Sequence, residues 1–175
     1  MENEELNLPM PIYDDKVIEN RYAELAQYKI TIPGDMMKLG YIGINDLFAQ
    51  IQAMLDRVNG LYSEAMKWAS MAQAASSATK YAYEAKYAAL ISSKTKEQFE
   101  SIKILEATVD HELASNIKLM QRAKLVYGLF SAYLKSVEGS YKNLESARKT
   151  LEMQANNFKR QNPLPLPYNS GLGSV

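Results

Sequence analysis

Apolar residues recur at steps of three and four through most of the chain, the spacing that lays them along one face of a helix. The first stripe runs Leu47, Ile51, Met54, Val58, Leu61, Ala65, Trp68, Ala72, Ser76, Thr79 and Tyr83, and continues in phase to Tyr87 and Leu90. It predicts a long helix from Leu47, with Asn45 or Asp46 as its N-cap. A second stripe runs Ile102, Leu105, Val109, Leu113, Ile117 and Met120. It resumes with Tyr127, Phe130, Leu134, Val137, Tyr141, Leu144 and Leu151, and Arg148 stands at one core position. Thr95 followed three residues later by Gln98 is a capping-box signature for the start of this second helix. Ser92, Ser93 and Lys94 are then the link, short enough to force an antiparallel hairpin. At 1.5 Å per residue the two helices would span about 70 Å and about 90 Å.

The flanks read differently. Residues 14–29 predict a short helix, with acids in its first turn and Lys29 in its last. "TIPGDMMKLGYIGIND" follows, where Pro33, Gly34, Gly40 and Gly43 mark a loop. "QNPLPLPYNSGLGSV" ends the chain, and its alternating prolines forbid a helix. Gly128 and Gly139 fall inside the second stripe and mark a bend or a tight crossing. The expected organisation is an acidic segment with a short helix and loop (1–46), a long helical hairpin (47–160) and a proline-rich flexible tail (161–175). The expected fold class is all-α: an elongated antiparallel long-helix hairpin with a short N-terminal helix. Helices this long on so short a chain leave surface that homo-oligomerisation would cover.

Phase also sorts the tyrosines of "KYAYEAKYAAL". Tyr83 and Tyr87 continue the stripe and are expected at a helix–helix contact, whereas Tyr81 lies about 160° from Tyr83 and faces away. Ala74, Ala78, Ala82, Ala85 and Ala89 form a small-residue face that would admit another helix closely.

Composition then limits the chemistry. Cysteine is absent, which excludes disulfides and thiolate metal sites. No apolar run reaches the roughly 18 residues of a membrane span. The opening "MENEELNLPMPIYDD" lacks the basic-then-apolar layout of a signal peptide, so a cytoplasmic chain is expected. Twenty basic and twenty acidic residues cancel. They are not evenly mixed: residues 1–25 hold seven acids against Lys16 and Arg21, and the remainder carries 18 bases against 13 acids. Residues 113–135 contain Lys118, Arg122, Lys124 and Lys135 and no acid. Such asymmetry suits a polyanion partner or self-association through opposite charges, and equally suits solvated helix faces.

Little here points to an enzyme. The single histidine, His111, lies between Asp110 and Glu112, and consecutive helical residues diverge by about 100° and cannot converge on one metal. The Glu-x-x-His pair of di-iron bundles is missing because Thr108 holds the required position. No phosphate-binding loop, dinucleotide-binding glycine pattern or serine nucleophile elbow occurs. The expectation is a binding protein without catalytic residues, metal or cofactor. Lys80, Lys86, Lys94 and Lys96 surround the expected turn with Tyr81 among them, and Lys118, Arg122 and Lys124 follow. Repeated around an oligomer, such groups can track a phosphate backbone while tyrosine stacks on unpaired bases.

From "YSEAMKWASM" to "ARKTLEM", roughly residues 62–153, the chain resembles the UvsY-like recombination mediators of tailed phages. The likeness lies in a long helix with Lys and Tyr before a short turn, a Thr-started second helix, and a late run of bulky apolar residues before a basic end. The resemblance implies a ring-forming homo-oligomer that binds single-stranded DNA. It further implies help in loading a recombinase onto strands coated by single-strand-binding protein, in the host cytoplasm. Lys80, Lys86, Lys94 and Lys96 match the family's basic segment near the first helix end. The chain departs from the family in its greater length, its acidic N-terminal segment, its proline-rich tail and its lower charge around the turn. The competing expectation is a viral structural or scaffold protein of helices, whose termini strap subunits together.

Overall fold

The Asp14 carboxylate accepts the backbone N–H of Lys16 at 2.9 Å and so caps the first helix. The structure, a computed structural model, describes residues 14–94 and 101–163. These form four helices and no strand: α1 (Asp15–Leu25), α2 (Gly40–Ser93), α3 (Ile102–Glu112) and α4 (Ala114–Gln161). α1 stops at Leu25, short of the expected Lys29, because Tyr28, Ile30 and Ile32 leave the helical path and pack against the core.

α2 begins seven residues before Leu47, and Asn45 and Asp46 lie inside it instead of capping it. Gly40 has φ 62, in the left-handed region that glycine enters without strain. A Cβ on Gly43 would sit 3.2 Å from the Leu39 side chain, so glycine there lets Leu39 fold over the first turn. The early start follows from contacts at the far end of α4. The Tyr41 ring meets Phe158 edge-on at 5.0 Å, its hydroxyl donates to the Asn162 carbonyl, and Ile44 is buried.

The second long helix is also revised. Ser101 caps α3 by accepting the N–H of Ile104 at 3.3 Å, while the Thr95/Gln98 capping box lies outside the described residues. Leu113 then separates α3 from α4 with φ −95 and ψ 11. Its N–H still donates to Val109, and its carbonyl still accepts from Ile117, both at 2.9 Å, so Leu113 itself keeps its helical bonds across the break. Gly128 and Gly139 do not interrupt α4, which runs through both.

α2 and α4 pack side by side, and their contacts run in opposite chain order. Tyr41 meets Phe158, Trp68 meets Phe130 and Tyr133, and beyond α4 Tyr83 meets Asp110. The main core holds Ile51, Leu55, Val58, Leu61 and Ala65 of α2 against Tyr133, Val137, Leu144, Leu151, Ala155 and Phe158 of α4. A separate cluster joins Leu105, Val109 and Leu113 to Tyr83, Tyr87, Leu90 and Ile91. Between the two clusters the seam continues through smaller side chains, with Ala69 and Ala72 of α2 against Val126 and Phe130 of α4 and with Ala75 and Ala123 also buried.

α1 lies against both long helices. Ile18 and Leu25 are buried, and Tyr22 meets Tyr133 edge-on at 5.3 Å. The Glu24 carboxylate takes Arg21 at 2.8 Å, Tyr28 at 3.3 Å and Arg57 of α2, and Arg21 bridges on to Glu64 at 3.0 Å. Burial pushes the Glu24 carboxyl up, but the bonds from Arg57 and Arg21 outweigh it and leave its pKa below the ordinary 4.5. Between those two values the unfolded chain binds a proton that the folded chain refuses. This contribution to stability is therefore complete above about pH 4.5 and fades as pH falls through the folded value. Thermal melts from neutral to acid pH should show the loss, and Glu24→Gln should reduce it. An unchanged acid dependence in that variant would remove Glu24 as its source.

Tyr133 is fully buried, and its hydroxyl has no hydrogen-bond partner among the described residues. Burial, with Glu64 nearby, pushes its pKa up to about 12. An unpartnered buried hydroxyl costs about 1–3 kcal/mol. Tyr133→Phe is therefore expected to be neutral or to stabilise the fold by about 1 kcal/mol in denaturant titrations. A clear loss of stability would show that the hydroxyl is satisfied.

Candidate nucleic-acid interface

The candidate side chains come from exposed turns of α2 and α4. Tyr81 is 68% exposed, whereas Tyr83 and Tyr87 are half-buried against Leu105, Val109 and Leu113. Their ring centroids lie 5.8 Å apart, and the Tyr83 hydroxyl donates to Asp110 at 3.2 Å. Burial and that carboxylate both raise the Tyr83 pKa. Helical phase had separated these rings correctly, and of the three Tyr81 is the one available for stacking.

The basic residues divide. Lys80 is exposed and pairs loosely with Glu84 at 3.6 Å, one turn along the same helix. Lys94 contacts Glu112 at 2.5 Å with its side chain 20% exposed, so it ties α2 to α3. Replacing Lys94 would break that tie, which makes it a poor probe of a ligand surface. Lys96 lies outside the described residues. Lys86, Lys118, Arg122 and Lys124 are exposed. Lys118 and Arg122, four residues apart, share a face of α4 to within about 40°. Counting helical turn from the seam residues Tyr83 and Ala123, Lys86 and Arg122 fall on one side of the seam, and Lys80 and Lys124 on the other. The fold thus gathers Lys118 with Arg122, and does not assemble all the candidates into one patch.

Along the molecule Lys80 and Lys118 come within about two turns of each other, with Arg122 and Lys124 further along α4. Lys80 lies one turn from Tyr83, and Lys118 two turns from Asp110 in the same direction, while Tyr83 and Asp110 are hydrogen-bonded. From Ala114 to Lys135, α4 carries no carboxylate. This arrangement can hold phosphates by charge, and it offers no buried donor set to read a base edge.

Other chemistry is sparse. No group of three His, Asp or Glu side chains among the described residues could hold a metal ion. His111 is exposed in the last turn of α3. An open groove is lined by Phe48, Ala49, Gln52, Arg148 and Glu152. The sequence pattern had put Arg148 at a core position, and the structure sets it at the edge of the seam, half-buried, with its Nε enclosed and Glu145 4.0 Å from its Nη2. Ala74, Ala85 and Ala89 of the small-residue face are exposed. No helix among the described residues is long and apolar enough to cross a membrane. Sequence reading missed the Arg21–Glu24–Arg57–Glu64 network: only Arg21 and Glu24 are local neighbours, and the links to Arg57 and Glu64 cross up to 43 residues. No family model, curated protein or solved structure matches the chain.

Proposed function

We propose that this is a non-catalytic, elongated helical hairpin that self-associates and binds single-stranded DNA along its backbone. The reading includes assembly into a ring and a mediator role, loading a recombinase onto strands coated by single-strand-binding protein. The observation that carries it is the acid-free stretch of α4, on which Lys118, Arg122 and Lys124 are exposed, as Tyr81 is on α2. One copy offers few such groups, and a closed ring repeats them along a strand. Native mass measurement with and without a labelled single-stranded oligonucleotide tests both parts. The expected result is an oligomer whose DNA complex weakens steeply with salt and shows no sequence preference. A monomer at micromolar concentration would remove the ring, and an oligomer that ignores oligonucleotide at low ionic strength would remove the mediator.

A second reading, a structural or scaffold protein, draws on a different observation. Leu119 and Leu125 are 47% and 60% exposed close to the basic residues, and Lys80 and Lys94 are already paired. Exposed apolar side chains of this size suit a protein–protein contact. This reading expects the oligomer without the salt-dependent binding.

A further inference from the structure

We infer that α1 is a releasable strap, closed over an aromatic shelf of Trp68, Phe130 and Tyr133, that opens while the α2–α4 pair stays folded. An 11-residue helix has no lasting stability of its own in water, so α1 persists only through what it touches. Its apolar anchorage is small. Ile18 and Leu25 are buried, but Val17 and Tyr22 remain 41% and 38% exposed. At its N-terminal end the fit is incomplete, with a cavity of about 280 Å³ bounded by Asp14, Val17, Ile18, Lys67, Trp68, Met71 and Phe130. The α2–α4 seam, by contrast, buries eleven side chains in its main cluster from Ile51 to Phe158.

Two polar features act on this strap in opposite directions. Glu24 holds it shut: it joins Arg21 and Tyr28 of its own segment to Arg57 of α2, and Arg21 extends the clasp to Glu64. Tyr133 favours opening. Its buried hydroxyl, unpartnered among the described residues, lies beneath Tyr22 and gains water once α1 lifts. Elements with few buried contacts open at lower free energy than the core they cover.

Hydrogen exchange and fluorescence quenching of the full chain test the inference. Trp68 is the one tryptophan in the sequence and sits at the shelf, so acrylamide quenching of its emission reports exposure there. In the wild type, amides of α1 should exchange at least tenfold faster than those around Val58 and Leu61 of α2. Glu24→Gln should speed α1 exchange about tenfold and raise Trp68 quenching, leaving the α2 amides unchanged. Tyr133→Phe should slow α1 exchange several-fold, the opposite sign. Glu19→Gln, at an exposed α1 position outside the clasp, should match the wild type. Exchange of α1 at the rate of α2, or a Glu24→Gln variant that accelerates both helices together, would overturn the strap. So would Tyr133→Phe speeding α1 exchange.

Discussion

Ile51→Asp is expected to lose most of its helical circular-dichroism signal at room temperature, while Leu125→Asp keeps the wild-type signal and melting point. Ile51 is fully buried between α2 and α4, in the cluster that contains Leu55, Val58, Leu144 and Leu151. Replacing it forfeits about 2 kcal/mol of apolar burial. Keeping the new carboxylate unpaired in that seam costs a further several kcal/mol, in the range of about 3–5. Together these approach the whole stability of an ordinary domain, about 5–15 kcal/mol. The other buried clusters, around Ala72, Val126 and Phe130 and around Leu105, Val109 and Leu113, are smaller. Leu125 is 60% exposed, and changes at such positions stay within about 0.5 kcal/mol. Equal melting points for the two variants would contradict the packing of α2 on α4.

Reversing two charges, Lys118→Glu with Arg122→Glu, should weaken single-stranded DNA binding by roughly tenfold or more at low salt and flatten its salt dependence. On a single strand each neutralised phosphate contributes about −0.7 to the log–log slope, so losing two should change the slope by roughly 1.4. Both side chains are exposed, and neither takes part in an ion pair seen among the described residues, so the fold should survive. Arg122 stands on a stretch of α4 without carboxylates, where a new glutamate meets the strand's phosphates directly. Changing Lys16, in the acidic segment, should leave affinity and slope as they are. Duplex DNA should compete poorly, since its stacked bases present no faces to Tyr81. Binding by the double variant at wild-type strength, with an unchanged slope, would place the interface elsewhere. No binding by any form, at any ionic strength, would leave the scaffold reading.

Local spacing determined a good deal here. Steps of three and four along residues 47–90 and 102–151 require apolar residues to share a helical face, and both stretches are helical apart from the bend at Leu113. The same 100° turn per residue sends Tyr81 outward and Tyr83 and Tyr87 inward, which needs no knowledge of the partner. The candidate site was legible to the same depth, as side-chain types on exposed turns.

The tertiary structure decided what depends on residues far apart. Gly40 becomes the start of α2 because Tyr41 and Ile44 find Phe158 and the end of α4, more than a hundred residues away. Tyr133 is fully buried although Leu134 was the expected seam residue, since α1 and Trp68 close over that side of α4. Lys94 became a tie to Glu112 and the other bases fell on both sides of the seam, because helix register and the bend at Leu113 set where each points. Glu24 gathers Arg57 across 33 residues, a pairing of charges that composition permits and only the docking of α1 selects. Periodicity is a property of neighbouring residues and survives without the fold. The choice of partner is a property of the packed chain.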